Sequence, residues 1–300
     1  MIVVAGSINL DLIANVDRLP APGETVPGTG FASAPGGKGA NQALAARRAG
    51  AEVRMAGAVG GDAFASQALA LLGEAAVDLS TVRRVDAPTG TALILVGADG
   101  ENMIAVVPGA NGLVSDRDVA AARVGKDDYL LLQHEIPLDT VAAALAHARE
   151  AGAVSVLNTA PFHAAAAEFL PLADYVVANE TEFDLYAEAL GVRAGGHRAT
   201  RMGEFAYKTG RVLVVTLGKD GLLAAVPGQD IMTVPALPVT PVDTVGAGDT
   251  FCGYLAAGLD AGLELAEALR RAAAAGSLAC LKPGAQPAIP MRAEVDAALE

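Results

Sequence analysis

The stretch Pro241-Val-Asp-Thr-Val-Gly-Ala-Gly-Asp-Thr-Phe251 predicts the end of a strand, a turn of small residues and the start of a helix. Gly246, Ala247 and Gly248 have little or no side chain, so their backbone N–H groups can approach a ligand closely. A helix that begins there adds the positive end of its dipole, which favours an anion such as phosphate. Asp249 comes next, where a carboxylate repels phosphate but can take a proton from a hydroxyl group that attacks it.

An isolated pattern of this kind also has a simpler explanation. Acidic residues in a first turn stabilise many helices, and glycines form many turns, without binding anything. Residues elsewhere in the chain are needed to distinguish an anion-binding site from a helix N-terminus that binds no ligand.

Composition narrows the class of protein. The chain has 300 residues, of which 52% are hydrophobic and 4% aromatic, and its formal net charge is −13. Its length and apolar content favour a well-packed helix–sheet protein, interpreted as one domain over residues 1–300. The negative charge argues against a nucleic-acid or anionic membrane surface, so backbone amides, single cations or a metal would have to hold an anionic substrate.

The cysteine content and the apolar start predict a protein of the reducing cytoplasm. Cys252 and Cys280 are too few for a disulfide framework and are interpreted as small buried side chains. The apolar start, residues 1–7, lacks a basic n-region, so we expect no signal peptide. No apolar run reaches the length of a membrane span.

Short apolar runs alternate with longer helical segments along most of the chain, which predicts an α/β fold: a parallel sheet sandwiched in three layers by helices on both faces. The predicted strands are 2–5, 52–58, 129–132, 154–157, 175–178 and 212–216. The predicted helices are one that opens within 36–42 and ends near 49, and others at about 62–72, 138–151, 247–261, 264–281 and 291–299.

Polar residues recur where these strands end. They are Asp11, Glu135, Asn158, Asn179, Thr216 and Asp243. Ligands of open α/β sheets bind at the carboxyl ends of the strands, so six such residues predict one common crevice. Asn9 and Asp11 alternate with apolar neighbours and share a face, where an amide and a carboxylate can grip neighbouring hydroxyl groups.

Two segments do not fit the alternation. Residues 12–35 are rich in Pro and Gly, and residues 89–109 contain two β-branched runs around Asp99-Gly100, a hairpin signal. We interpret them as one small β-sheet that covers the site as a lid. Two unrelated surface hairpins are the alternative.

Two further motifs are candidates for ligand binding. Gly36-Gly-Lys-Gly-Ala-Asn-Gln42 is not a Walker A loop, because Gly39 stands where Ser or Thr is needed, but its glycines allow close approach and Lys38 and Asn41 can face a ligand. Asn179-Glu-Thr-Glu182 fits a helix N-cap, the commoner use of the pattern. It also fits a site for hydrated Mg²⁺, which takes few protein ligands.

In combination these motifs resemble the ribokinase-like (PfkB) family of carbohydrate kinases. The similar stretches are 6–11, 22–25, 36–42, 179–182, 215–218, 243–251 and 284–287. The resemblance implies a parallel α/β sandwich with a small β-sheet lid, often shared between the two subunits of a homodimer. It also implies ATP-dependent phosphorylation of the hydroxymethyl group of a small free sugar, with D-ribose as the first candidate.

The resemblance carries residue roles as well. It implies sugar binding by Asn9, Asp11, Gly37, Lys38, Asn41 and Glu135. It implies a nucleotide site at Asn179, Thr216, Gly218 and Gly221, with Glu182 acting near Mg²⁺ through water. It implies an anion hole at Gly246, Ala247 and Gly248, with Asp249 as the base. A monovalent cation, usually K⁺, would lie beside Asp243 and the backbone of Val245, Ala279, Lys282 and Gly284. Ala288 stands where the family usually has a hydroxyl residue.

Four alternatives stay open. A kinase of the same family for another sugar, such as a hexose or a ketose, would satisfy the same motifs. A nucleoside kinase of the same family would place aromatic groups against a base, and only Phe31 is evident in the lid segments. A sugar-phosphate kinase would need more lid cations than Arg18. A non-catalytic sugar sensor would not need Asp249 and its glycine turn.

Overall fold

A computed structural model describes residues 1–192 and 195–300. In this part of the chain no helix is both long and apolar enough to cross a membrane. The strands are β1 (Ile2–Ala5), β2 (Asn9–Val16), β3 (Gly28–Gly36), β4 (Val53–Gly60), β5 (Val82–Val85), β6 (Gly90–Gly97), β7 (Asn102–Val107), β8 (Tyr129–Leu132), β9 (Val154–Asn158), β10 (Tyr175–Asn179), β11 (Val212–Thr216), β12 (Leu222–Ala225) and β13 (Met232–Val234). The α-helices are α1 (Lys38–Arg48), α2 (Ala63–Ala68), α3 (Ala70–Glu74), α4 (Asp116–Ala121), α5 (Leu138–Ala151), α6 (Glu180–Ala189), α7 (Arg198–Thr209), α8 (Ala247–Asp260), α9 (Leu265–Ala279), α10 (Ala285–Ala288) and α11 (Arg292–Leu299).

The main sheet has nine strands in the order β13-β12-β11-β10-β9-β8-β1-β4-β5. Its strands from β11 to β5 are parallel, and β12 and β13 extend it with antiparallel pairs. Side chains alternate between two cores: Ile2 and Val4 pack with α1, α8 and α9, whereas Val3 and Ala5 pack with α5, α6 and α7. The predicted three-layer α/β sandwich is therefore confirmed.

The helix α5 buries a single apolar stripe. In α5 the buried residues include Val141, Ala144, Leu145 and Ala148, at the i, i+3, i+4, i+7 spacing of a single helical face. That spacing explains why the predicted helix 138–151 coincides with the observed one.

A second, smaller sheet has the order β3-β2-β6-β7. β2 pairs antiparallel with β3 and parallel with β6, and β6 pairs antiparallel with β7. The turn between β6 and β7 contains Asp99-Gly100, and Gly100 N donates to Gly97 O at 3.0 Å. The strands expected within 12–35 and 89–109 thus form one sheet rather than two unrelated hairpins.

Several sequence-based expectations need correction. Residues 235–246 contain no strand, so the stretch 241–251 does not begin at a strand end. Pro235, Pro238 and Pro241 each lack a backbone donor, which prevents that segment from extending the sheet. The helix expected at 62–72 is two short helices, α2 and α3, and β5, β12 and β13 were not expected. Asp11 lies within β2 of the small sheet, not at the end of β1.

Candidate active site

The N-terminus of α8 opens onto a cavity at the edge of the main sheet. Gly246 caps the helix with φ 76°, and a Cβ at this position would lie 2.8 Å from Ala285 Cβ, so only glycine fits. The cavity has a volume of about 140 Å³. Its lining residues are Lys38, Asn158, Ala160, Val177, Ala178, Asn179, Glu182, Thr216, Gly246, Gly248 and Asp249. The structure therefore brings together seven of the predicted site residues: Lys38, Asn179, Glu182, Thr216, Gly246, Gly248 and Asp249.

Asp249 is 7% exposed and is held by two amides from α1. Asn41 Nδ2 donates to Asp249 Oδ2 at 2.9 Å, and Gln42 Nε2 donates to Oδ1 at 3.0 Å. The two helices pack closely because of Gly253, where a Cβ would lie 2.6 Å from Gln42 O and 2.5 Å from Ala45 Cβ. This packing brings the glycine-rich motif, residues 36–42, next to the stretch 241–251.

Lys38 supplies the positive charge of the cavity. Asp249 is the largest influence on it and raises the pKa of the ammonium group, with Glu135 and Glu182 acting in the same direction against the effect of burial. A charged amine facing three carboxylates stays protonated, and a bound phosphate would add to this stabilisation.

Asn179 and Glu182 form a capping box at the start of α6. Glu182 N donates to Asn179 Oδ1 at 2.8 Å, and Asn179 N donates to Glu182 Oε2 at 3.0 Å. Thr159 Oγ1 also donates to Glu182 Oε2 at 3.3 Å. Both residues also line the cavity, so the helix cap is observed and the ligand site stays a prediction at the same position.

Asp11 lies close enough to Glu135 and Asp249 to interact electrostatically with both. Burial is the largest cause that raises the pKa of Asp11, to about 7, and the charges of Glu135 and Asp249 add to it. Glu135 Oε2 accepts from Ser7 Oγ at 2.6 Å and from Lys38 N at 3.1 Å. A cluster of carboxylates close enough to interact suits a ligand rich in hydroxyl groups.

Asn9 and Gly37 flank this cluster. Gly37 is the N-cap of α1. Asn9 is buried, and its Oδ1 accepts from Asn111 Nδ2 at 2.7 Å, while Asn111 also bonds the backbone of Ile8. Asn9 is therefore tied to the segment that follows the small sheet, a contact that no sequence pattern indicated.

A larger cavity of about 460 Å³ adjoins the first and shares Thr216 and Gly248 with it. The predicted residues Gly218, Gly221 and Ala247 line it. Most of its other walls are small or apolar and were not predicted: Leu222, Ala236, Leu237, Pro238, Val239, Pro241, Phe251, Ala273, Gly276 and Cys280. An apolar slot of this size, next to an anion-binding helix end, suits a nucleobase. Cys280 is partly exposed here, which corrects the expectation that it is buried.

The loop predicted to hold a monovalent cation folds around Asp243. Asp243 Oδ1 accepts from Val245 N at 3.0 Å, and Oδ2 accepts from Gly284 N at 2.8 Å. Asp243 N and Val242 N both donate to Cys280 O, which joins residues 242–245 to the end of α9. Ala279 lies at that end, whereas the Lys282 side chain points to Glu294, with Nζ 3.3 Å from Oε1. Asp243, Val245 and Gly284 are thus brought together.

A helix N-terminus, a buried carboxylate and a lysine that meet beside an apolar slot are typical of enzymes that transfer phosphoryl groups. The chain matches the pfkB family carbohydrate kinase over residues 1–292. A ribokinase from Lactococcus lactis is 37% identical over 300 residues, covering 99% of this chain and 96% of that protein. This chain belongs to the pfkB family of carbohydrate kinases, as its motifs predicted.

Solved structures agree with this assignment. The crystal structure of a Thermotoga maritima ribokinase matches with a TM-score of 0.92 at 31% identity, covering 99% of this chain and 98% of that one. The structure of an Arabidopsis thaliana ribokinase complexed with ribose and ATP matches with a TM-score of 0.87 at 31% identity, covering 100% of this chain and 98% of that one.

Proposed function

We propose that this chain transfers the γ-phosphoryl group of ATP to the hydroxymethyl group of D-ribose and releases ribose 5-phosphate. The observation that carries the proposal is the position of Asp249. It lines the cavity at the start of α8 and lies close enough to Asp11 to raise the pKa of that carboxyl group. A base between a carboxylate cluster and an anion site matches the geometry of hydroxyl attack on phosphate. The ribose and ATP bound by the Arabidopsis thaliana ribokinase support this substrate pair.

The chain's own residues supply alignment and charge. Asp11, Asn41 and Glu135 bind the sugar hydroxyls, helped by Asn9 and by the backbone at Gly37. Asp249 accepts the proton of the attacking hydroxyl. The N–H groups of residues 246–248 and the ammonium group of Lys38 stabilise the charge of the phosphoryl group as it moves. The nucleotide lies along Asn179, Thr216, Gly218 and Gly221, with its base in the apolar slot.

Magnesium fits this site because its donors are oxygens. Glu182 and Asp249 present carboxylates to the same cavity, and Mg²⁺ takes few protein ligands when phosphates and water complete its shell. When bound, the ion neutralises the charge of the phosphate oxygens. Glu182 would hold it through water.

We assign the small sheet, with its segments 12–35 and 89–109, the role of a lid that excludes water from the reaction. The register of the sheet places Phe31, Leu93, Met103 and Val107 on one face. Phe31 is 73% exposed and Met103 is 51% exposed, so this face leaves apolar surface in water. A second copy of the chain would cover it. Sedimentation tests this: the wild type should have the mass of a dimer and Met103→Glu that of a monomer. A monomeric wild type would contradict the assignment.

One experiment tests the substrate. ADP production is measured with D-ribose, 2-deoxyribose, hexoses, ketoses and nucleosides. Highest kcat/KM on ribose supports the proposal, and a clear preference for another acceptor moves the substrate while the mechanism stays. No turnover on any acceptor, with ATP still bound, would favour a non-catalytic sensor.

A further inference from the structure

Each oxygen of Asp249 accepts a hydrogen bond from a side-chain amide, but the two amides are held differently. Gln42, on the Oδ1 side, is 0% exposed, and its own Oε1 accepts from Gln133 Nε2 at 2.6 Å. Gln133 is also 0% exposed and lies at the end of β8, within the sheet edge. The Gln42 amide is bonded at both ends, because its Nε2 also lies 3.4 Å from Asn158 Oδ1, so turning it away would leave buried polar atoms unpaired. Gln42 is therefore a rigid partner of Oδ1.

Asn41, on the Oδ2 side, is held at one end only. Its Nδ2 donates to Asp249, but its Oδ1 is buried without a hydrogen-bond partner. A buried acceptor in this state gains a hydrogen bond when a hydroxyl group arrives. Asn41 can thus exchange Asp249 for a ligand, whereas Gln42 cannot do so without breaking its bond to Gln133.

We propose that Gln42, held by Gln133, is a positioning residue that fixes Asp249 through Oδ1, so that Oδ2 is the oxygen that accepts the proton. The inference rests on the proposed function. Sugar binding draws Asn41 away from Oδ2, which then faces the hydroxyl group. The hydroxyl proton passes to Oδ2, the hydroxyl oxygen forms a bond to the γ-phosphorus, and the bond from the γ-phosphorus to the departing ADP oxygen breaks. Asp249 later returns the proton to solvent.

Two glycines pack closely against the chain of hydrogen bonds that runs from Gln133 through Gln42 to Asp249. A Cβ at Gly6 would lie 2.0 Å from Gln133 Oε1, and a Cβ at Gly253 would lie 2.6 Å from the backbone oxygen of Gln42. Larger residues at either position would displace one of the two amides. These hydrogen bonds thus depend on the close approach of the backbone just after β1 and in α8.

Losing the Gln42 donor should change the reaction and not the binding of substrates. The carboxylate would be free to rotate, and misalignment of about 1 Å can lower the rate on the order of 100-fold.

The test compares Gln42→Met, which keeps the size of the side chain, with Gln133→Met, which does not touch Asp249. For Gln42→Met we expect kcat to fall about 10- to 100-fold and KM for ribose to stay within about threefold. Gln133→Met should change the same quantities in the same direction by less. If Gln42→Met does not fold, Gln133→Met carries the test.

Ser155→Ala is the matched control for lost stability. Ser155 is buried and exchanges hydrogen bonds with Asp174 near the opposite end of β9, so its loss should lower Tm and leave kcat and KM unchanged. If the glutamine variants keep wild-type kcat while Asp249→Asn loses turnover, the positioning role is wrong and the proposed function stands. If the wild type phosphorylates no sugar, the proposed function itself fails.

Discussion

Asn41 Nδ2 lies 2.9 Å from Asp249 Oδ2, although 208 positions separate the two residues in the chain. The contact joins α1, which carries Asn41, one of the residues assigned to the sugar, to α8, whose N-terminus is assigned to the phosphate. The acceptor and donor sides of the reaction thus meet at one carboxylate. That meeting depends on how closely the two helices pack.

Replacing Gly253 tests this packing. A Cβ in the Gly253→Ala variant would lie 2.5 Å from Ala45 Cβ and would push α1 from α8. We expect the variant to lose about 1–3 kcal/mol of unfolding free energy and to lower kcat more than KM. Gly203→Ala is the control, because nothing lies within 4 Å of the added atom in α7, and it should be neutral or stabilising. Wild-type kcat in Gly253→Ala would show that the distance between the helices does not matter.

Asp11 predicts a pH-dependent stability. Its pKa in the folded chain is about 7, chiefly because burial disfavours the charged form. A raised carboxyl pKa means that folding favours the protonated state. Below the pKa of the unfolded chain, near 4, the carboxyl group therefore does not lower the unfolding free energy of the wild type. As pH rises towards 7 the wild type loses stability. Asp11→Asn, which cannot ionise, should therefore gain on the wild type by on the order of 4 kcal/mol between pH 4 and pH 8.

Urea unfolding of both proteins across that pH range measures this difference. A constant gap between them would mean that the Asp11 carboxyl group ionises in the folded chain as it does in water. In kinetic assays the same variant should raise KM for ribose, because the amide replaces an acceptor for hydroxyl groups.

We expect any activation by potassium to depend on residue 288. Asp243 is already bonded by two backbone N–H groups, and the buried side chain of Ala288 offers no oxygen. We expect K⁺ to raise turnover over that in a large organic cation, and Ala288→Ser to increase the ratio because a hydroxyl adds an oxygen ligand. Equal rates in the two salts for both proteins would remove the cation from the account. Ala288→Val is the control for a change of volume alone.

Much of the fold followed from local pattern. The strands at 129–132 and 212–216 and the helix at 138–151 have the predicted bounds, because each is set by a short apolar run or by a single apolar stripe. The convergence of Asn158, Asn179 and Thr216 on one cavity followed from the rule that parallel strands present their carboxyl ends at one edge.

Other features depend on distant contacts that one sequence does not reveal. Gln133 meets Gln42 across 91 positions, and Asn111 meets Asn9 across 102, so neither pair has a local signal. The apolar slot is built partly from an irregular, proline-rich segment, 235–241, whose path is set by its packing. Gln42 had a usable signal: it follows Asn41 in a helix that the glycine-rich motif already placed at the site.

The most direct measurement compares the wild type with Asp249→Asn in an assay of ribose phosphorylation by ATP. The variant keeps the shape of the side chain but cannot accept the proton, so turnover should fall by on the order of 10²–10⁴, while titration calorimetry still detects binding of ATP and of ribose. The wild type should form ADP and sugar phosphate in equal amounts. Near-normal turnover in Asp249→Asn would contradict the account, because it would remove the base from the centre of the site.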